Sequence, residues 1–221
     1  IALGGYSSAG YLLLNEAAIV EEEDSGTGSA QHGAFKNEKA QNTSAQPKSD
    51  LPTWELLTDR SQLTFKAYQQ GSPITGHFGT FSGTVAFDPE RPQDGHAEIE
   101  IALNSVRTGT TSRDDRLKSG TWFNISQYPE ARYVIDSFET RKGEGNYIAV
   151  GELHLRGQSA PVQLPFHLDI REDDKGGDIA HAKGETQLQR LNYGVGQGKW
   201  QKAETIANKV DVEIDVYARR Q

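Results

Sequence analysis

In Ala97–Leu103 and again in Val210–Val216, every second residue is apolar and the residues between them are mostly Asp or Glu. Successive side chains on a strand point to opposite faces, so each segment is a strand with one dry side and one wet side. A chain built mainly of such strands can close into a barrel. What fills the dry interior then becomes the functional question.

The same pattern recurs from Thr53 onward. Strands are expected near 53–58, 61–69, 73–78, 80–88, 95–104, 131–141, 146–156, 160–171, 178–191 and 209–219. Gly-, Pro- and Asp-rich stretches such as Gly71-Ser72-Pro73, Asp88–Pro92 and Asp173–Gly177 separate them. The clearest dry rows are Leu63/Phe65/Ala67, Val85/Phe87, Ile99/Ile101/Leu103, Leu153/Leu155, Val162/Leu164/Phe166/Leu168/Ile170 and Val210/Val212/Ile214/Val216. One short helix interrupts them, expected over Arg113–Ser119, with Ser112 as N-cap, Gly120 closing the end and Trp122-Phe123 tucked beneath.

Three segments divide the chain. Residues 1–20 open with fourteen residues free of charged side chains, too few to span a bilayer, which takes about 20. The chain does not begin with Met, so this stretch reads as a membrane or signal remnant or as a loose terminus. Residues 21–50 begin Glu21-Glu22-Glu23-Asp24 and continue in small polar residues. That composition buries too little apolar surface to offset chain entropy, so a disordered linker is expected. Residues 51–221 make one domain of ordinary size.

A formal charge of −8 argues against nucleic acid as a partner, because such binders present a basic face. Cysteine is absent, which excludes disulfides and thiolate metal sites. The six His show no metal-ligand spacing, and no metal is expected. Asp114 and Asp115 are adjacent and splay apart, unlike a catalytic carboxyl pair, and no Ser/His/Asp order suggests a triad. Gly194–Lys199 has the glycines of a phosphate loop with the wrong spacing, and Trp200 stands where Ser or Thr is needed. A loop between strands, with Trp200 as a lid, fits better.

The aromatic residues Phe65, Phe78, Phe81, Phe87, Trp122, Phe123, Tyr133, Phe138, Phe166, Tyr193 and Trp200, with Leu103, Leu117, Leu153, Leu155 and Leu164, are the candidate interior. Closing about eight strands leaves an interior either filled by side chains or wide enough for one ligand. Taken singly, each of these residues is a core residue. Arg113, Arg116 and Arg190 are candidates to hold a polar head at a mouth, since guanidinium forks onto phosphate or carbonyl oxygens; each also has a bland reading as an ion-pair partner or strand end.

Gly76–Gly83, Phe87-Asp88-Pro89, Ser105–Gly109, Leu117-Lys118-Ser119, Tyr128–Ala131, Gly151–Gly157 and Arg190–Gly196, in that order across residues 54–219, resemble the YceI-like domain family. The resemblance implies an all-β fold, an extended lipocalin-like antiparallel up-and-down β-barrel of about eight strands with one short helix. It implies a protein without enzymatic activity or cofactor that binds, sequesters or transports a long-chain isoprenoid lipid, polyprenyl or isoprenoid quinone, in the periplasm. It tips the candidate interior toward a lined pocket. Two positions depart from the family: His154 stands where Thr is usual, and Asn192 where Asp is common. Some relatives carry the domain behind a membrane-embedded cytochrome b. A tether to the inner membrane through the N-terminal segment, a quinone-docking role beside such a cytochrome b, and a homodimer therefore stay open.

Overall fold

The computed structural model describes residues 51–174 and 176–221; the apolar N-terminal segment and the acidic linker lie outside the described residues. The strands are β1 (Thr53–Leu56), β2 (Gln62–Gln69), β3 (Ser72–Phe78), β4 (Phe81–Ala86), β5 (His96–Ala102), β6 (Val106–Arg107), β7 (Glu130–Thr140), β8 (Asn146–Leu155), β9 (Gln158–Glu172), β10 (Asp178–Gln189) and β11 (Lys209–Arg220). All ten expected strands are present; the two-residue β6 was not expected. The sheet runs β1-β4-β5-β7-β8-β9-β10-β11, and β11 pairs back onto β1, so eight strands close a ring. The last five, β7 to β11, run up and down in chain order with antiparallel pairing throughout.

The ring closes because β11 shares its outer edge between two partners. Ala218–Arg220 pair with β1, whereas Asp211–Asp215 pair with β2, which carries β3 and β6 onward as a flap. Ser61 fills the junction, its hydroxyl donating to Leu57 O at 2.7 Å and accepting the Tyr217 N–H at 2.9 Å. Each backbone group at the fork thereby keeps a partner, as burial requires.

The helix α1 (Thr111–Lys118) begins two residues before the expected start, and Ser112 lies within it rather than capping it. Thr110 holds the N-cap position without a side-chain bond. The acid does the fastening instead: Asp114 Oδ1 accepts the Thr108 N–H at 2.8 Å and the Thr108 hydroxyl at 2.6 Å. These bonds hold the buried Asp114 carboxyl below the usual range. The helix ends at Ser119 in extended backbone, so Gly120 is not its cap. Trp122 and Phe123 turn inward beneath it, as expected, and both are buried.

The interior is packed unevenly. Inward residues of β7 and β8, such as Tyr133, Ile135, Phe138, Tyr147, Ala149 and Leu153, are buried. Phe87 meets Phe138 and Tyr147 edge-on, with centroids 4.9 and 5.2 Å apart, and Trp54 Nε1 donates to Phe87 O at 3.0 Å. Edge-on pairs of this kind add to the burial of ring area. By contrast, the inward rows of β2, β10 and β11 are only half-buried, from Leu63 and Phe65 through Ala182 and Leu188 to Val212 and Ile214. They face open space.

Candidate functional site

That open space is a cavity of about 320 Å³ within the barrel. All the dry rows expected from sequence border it. Its room has a cause in sequence: along the inward row of β10, Ala180, Ala182 and Gly184 set small residues beside the larger Ile170, Leu168 and Phe166 of β9 and the Val and Ile of β11. Gly184 is required where it stands. A Cβ there would lie 2.4 Å from Pro165 O and 2.8 Å from Phe166 Cβ, closer than real contacts. Glycine therefore lets β9 and β10 approach closely at that rung.

The wall presents no polar surface to the cavity. Its polar residues turn their heteroatoms to the protein. Tyr133 Oη lies 3.0 Å from both Ala149 O and Val162 O, and its burial raises the phenol pKa far above the ordinary value. Thr186 Oγ1 donates to Gln163 O at 2.8 Å. Arg190, 4% exposed, donates through Nε to Ala207 O at 2.9 Å, through Nη1 to Val195 O at 2.7 Å, and through Nη2 to Trp200 O at 2.7 Å and Ile206 O at 2.8 Å. Burial lowers its pKa.

Of the residues nominated from sequence, Phe65, Phe78, Phe81, Phe87, Leu103, Leu117, Trp122, Phe123, Tyr133, Phe138, Leu153, Leu155, Leu164, Phe166, Arg190 and Tyr193 line the cavity. Arg113, Arg116 and Trp200 do not. Arg113 Nη1 donates to Thr108 O at 3.3 Å, beside the helix. Trp200 packs behind the wall on Trp122, with centroids 5.8 Å apart. Arg190 borders the cavity with its carbons while its N–H groups tie the loop between β10 and β11, so it is a clamp and not a head-binding group in this structure. Gly196, at φ 86°, makes room for it, since a Cβ there would sit 2.3 Å from Arg190 Nη1. The nominated set omitted the aliphatic wall: Leu63, Ala67, Ala182, Thr186, Leu188, Val210, Val212, Ile214 and Val216 also line the cavity. The dry rows of β2 and β11 were the signal that could have placed Leu63, Ala67 and the β11 residues there; the inward row of β10 gave none.

One stretch of the wall is not laced. The β9–β10 ladder runs from Glu172/Asp178 to Phe166/Gly184 and stops. Beyond it, Gln158–Pro165 and Glu185–Gln189 continue side by side toward the α1 end, bridged by Thr186 to Gln163. Gln163 turns its carbonyl to β10, so Pro161 and Pro165 turn the same way, where an N–H would lack a ladder partner. Proline is tolerated at such an edge because it has no donor to satisfy.

Among the described residues, no group of three or more His, Cys, Asp or Glu is placed to hold a metal ion. His154 pairs with Glu152, and His167 bonds Asn146 at 3.1 Å on the outer surface.

A closed antiparallel barrel around an apolar cavity is the architecture of small lipocalin-like binding proteins. Residues 54–218 match the YceI-like domain, and the chain belongs to that family. A UPF0312 protein of Shewanella denitrificans is 32% identical over 123 residues, which cover 55% of this chain and 64% of the relative. The fold is shared with BcnA of Burkholderia cenocepacia, with a TM-score of 0.68, 23% identity, and coverage of 73% of this chain and 98% of that one. It is also shared with a polyisoprenoid binding domain from Saccharophagus degradans implicated in plant cell wall breakdown, with a TM-score of 0.61, 16% identity, and coverage of 76% and 98%.

Proposed function

We propose that the chain binds a long-chain isoprenoid lipid, a polyprenyl chain or an isoprenoid quinone, inside the barrel and sequesters or carries it in the periplasm. The observation that carries this reading is the cavity wall, which offers hydrocarbon and nothing else. A chain entering it gains about 0.8 kcal/mol per buried CH₂, partly offset by ordering. The methyl-branched character of an isoprenoid suits a wall of Val, Ile and Leu rows. The neighbour described as a polyisoprenoid binding domain supports the ligand class, and the periplasmic setting rests on the family resemblance.

The function needs no bond chemistry. The Tyr133 hydroxyl and the Arg190 guanidinium, groups a reaction would use, are held by main-chain carbonyls. Titration with a prenyl alcohol or a short-tailed prenyl quinone, read by tryptophan fluorescence, tests the reading, since Trp122 and Trp54 line the cavity. Saturable binding at one ligand per chain is expected. A signal that never saturates, or no signal with either ligand, would overturn it.

A further inference from the structure

Four cations of the barrel wall have acid partners: Lys66 with Glu213, Lys183 with Asp215, Arg219 with Asp173, Arg220 with Asp178. At the end opposite α1, among the described residues, only Arg141 and Lys142 of the β7–β8 hairpin stand together without an ion pair. The end covered by α1 and the loop after β10 is different. Arg107, Arg113, Arg116, Lys118, Arg156 and Lys199 gather there, and among the described residues none of them forms an ion pair. Their convergence is geometric. Arg116 and Lys199 stand over the same Trp200 ring, 5.4 and 5.0 Å from its centroid. Arg156 Nη2 donates to Gly120 O, just past the helix, at 2.8 Å, and Arg107 and Lys118 flank Asp114. Asp114 itself is buried and committed to Thr108. The exposed acids of the helix and of the loop after β10 are Asp115 and Glu204, so cations outnumber them at this end of a chain of net charge −8.

Two further features belong to this end. The unlaced stretch between β9 and β10 opens toward it, whereas at the opposite end the ladder rungs continue around the ring. Trp200, half-buried, rests on Trp122, which lines the cavity. An indole with one apolar side and a polar edge settles at the level of lipid headgroups.

We propose that this basic end docks on the anionic surface of a lipid bilayer, setting the cavity's unlaced end against the membrane. The proposal rests on the lipid-carrying reading above. A bilayer fits better than an acidic protein because the cavity beneath takes hydrocarbon. Docking lets the lipid chain pass between membrane and barrel without exposing its apolar surface to water, which is unfavourable.

The test compares the full chain with an Arg116→Glu/Lys118→Glu/Lys199→Glu variant in flotation assays. The vesicles are pure phosphatidylcholine or phosphatidylcholine with phosphatidylglycerol. Each cation near an anionic surface is worth roughly fivefold in partitioning, so losing three and adding three acids should weaken binding to anionic vesicles by at least about a hundredfold. Wild-type binding should fall as salt shortens the Debye length. Attraction contributed by the apolar residues 1–14 is common to both proteins and to both vesicle types. Equal binding by wild type and variant, or no preference for the anionic vesicles, would overturn the proposal. So would retention on polyglutamate that the variant loses while neither protein floats with anionic vesicles, which would assign the surface to an acidic protein. Prenyl alcohol titration of the same variant separates the two readings. Retained cavity binding with lost flotation supports docking, and flotation without cavity binding in either protein would defeat the cargo reading alone.

Discussion

Thr186 Oγ1 donates to Gln163 O at 2.8 Å across a part of the barrel where β9 and β10 share no ladder rung. Lys183 and Gln187 lie four residues apart on the same edge of β10, one inside the ladder and one beyond it. Local opening costs least where backbone groups lack partners. Hydrogen exchange should therefore show the Gln187 amide exchanging at least tenfold faster than that of Lys183. Equal protection would mean that the wall is closed along its whole length.

Ala182 sits inward between Leu168 of β9 and Val216 of β11. Because it faces open space, Ala182→Phe should place its ring in the cavity with little strain. Filling an apolar void contributes roughly 1–3 kcal/mol of burial, so urea unfolding should show stability unchanged or raised. Prenyl ligand binding should drop at least tenfold. A variant that unfolds early would show that the space is not free.

Arg190 is a buried cation whose hydrogen-bond partners are all main-chain carbonyls, with the Trp122 ring 5.7 Å from its guanidinium carbon. Replacing it with Met leaves those carbonyls buried and unpaired and frees the loop that ends in Ile206. A buried carbonyl left unpaired costs about 1–3 kcal/mol, so losing several should destabilise the fold clearly, and Arg190→Lys should fare little better because one ammonium cannot reach both sides of the clamp. Chemical denaturation checks both variants. A loss under about 1 kcal/mol would make the clamp dispensable.

Asp114 has a folded pKa below its unfolded value of about 3.9, chiefly through the Thr108 hydroxyl bond. A depressed carboxyl pKa stabilises the fold above the unfolded value, and the benefit disappears as pH falls through the folded one. The stability gap between wild type and Asp114→Asn should be constant above about pH 5 and close as the pH drops below about 4. Asp215, held down by Lys183 and His181, should behave alike in Asp215→Asn. A gap that widens on acidification would contradict the assignment.

Much of this architecture was legible because strand alternation is local. Val210, Val212, Ile214 and Val216 declare their face with no knowledge of neighbours, and all four line the cavity. The cavity itself was less legible, because emptiness depends on what stands opposite. Ala182 and Gly184 look unremarkable until β10 is set between Phe166/Leu168 and Ile214/Val216. Large aromatics drew the eye, yet Phe87 and Phe138 pack edge-on against each other on the filled side, beside Tyr147, which was not among the candidates. The part played by Arg190 was hidden for the same reason. Its partners lie five to seventeen residues away in an irregular loop with no periodic signal. Trp200 was expected as a lid and instead backs Trp122 from outside the lining.

The central claim is that the apolar cavity holds an isoprenoid chain. Its most direct test is organic extraction and mass spectrometry of protein purified from its native host. The account predicts a polyprenyl or prenyl-quinone species at close to one per chain, displaced in Ala182→Phe. A protein that yields no lipid, or yields only bulk membrane phospholipid in both forms, would contradict it.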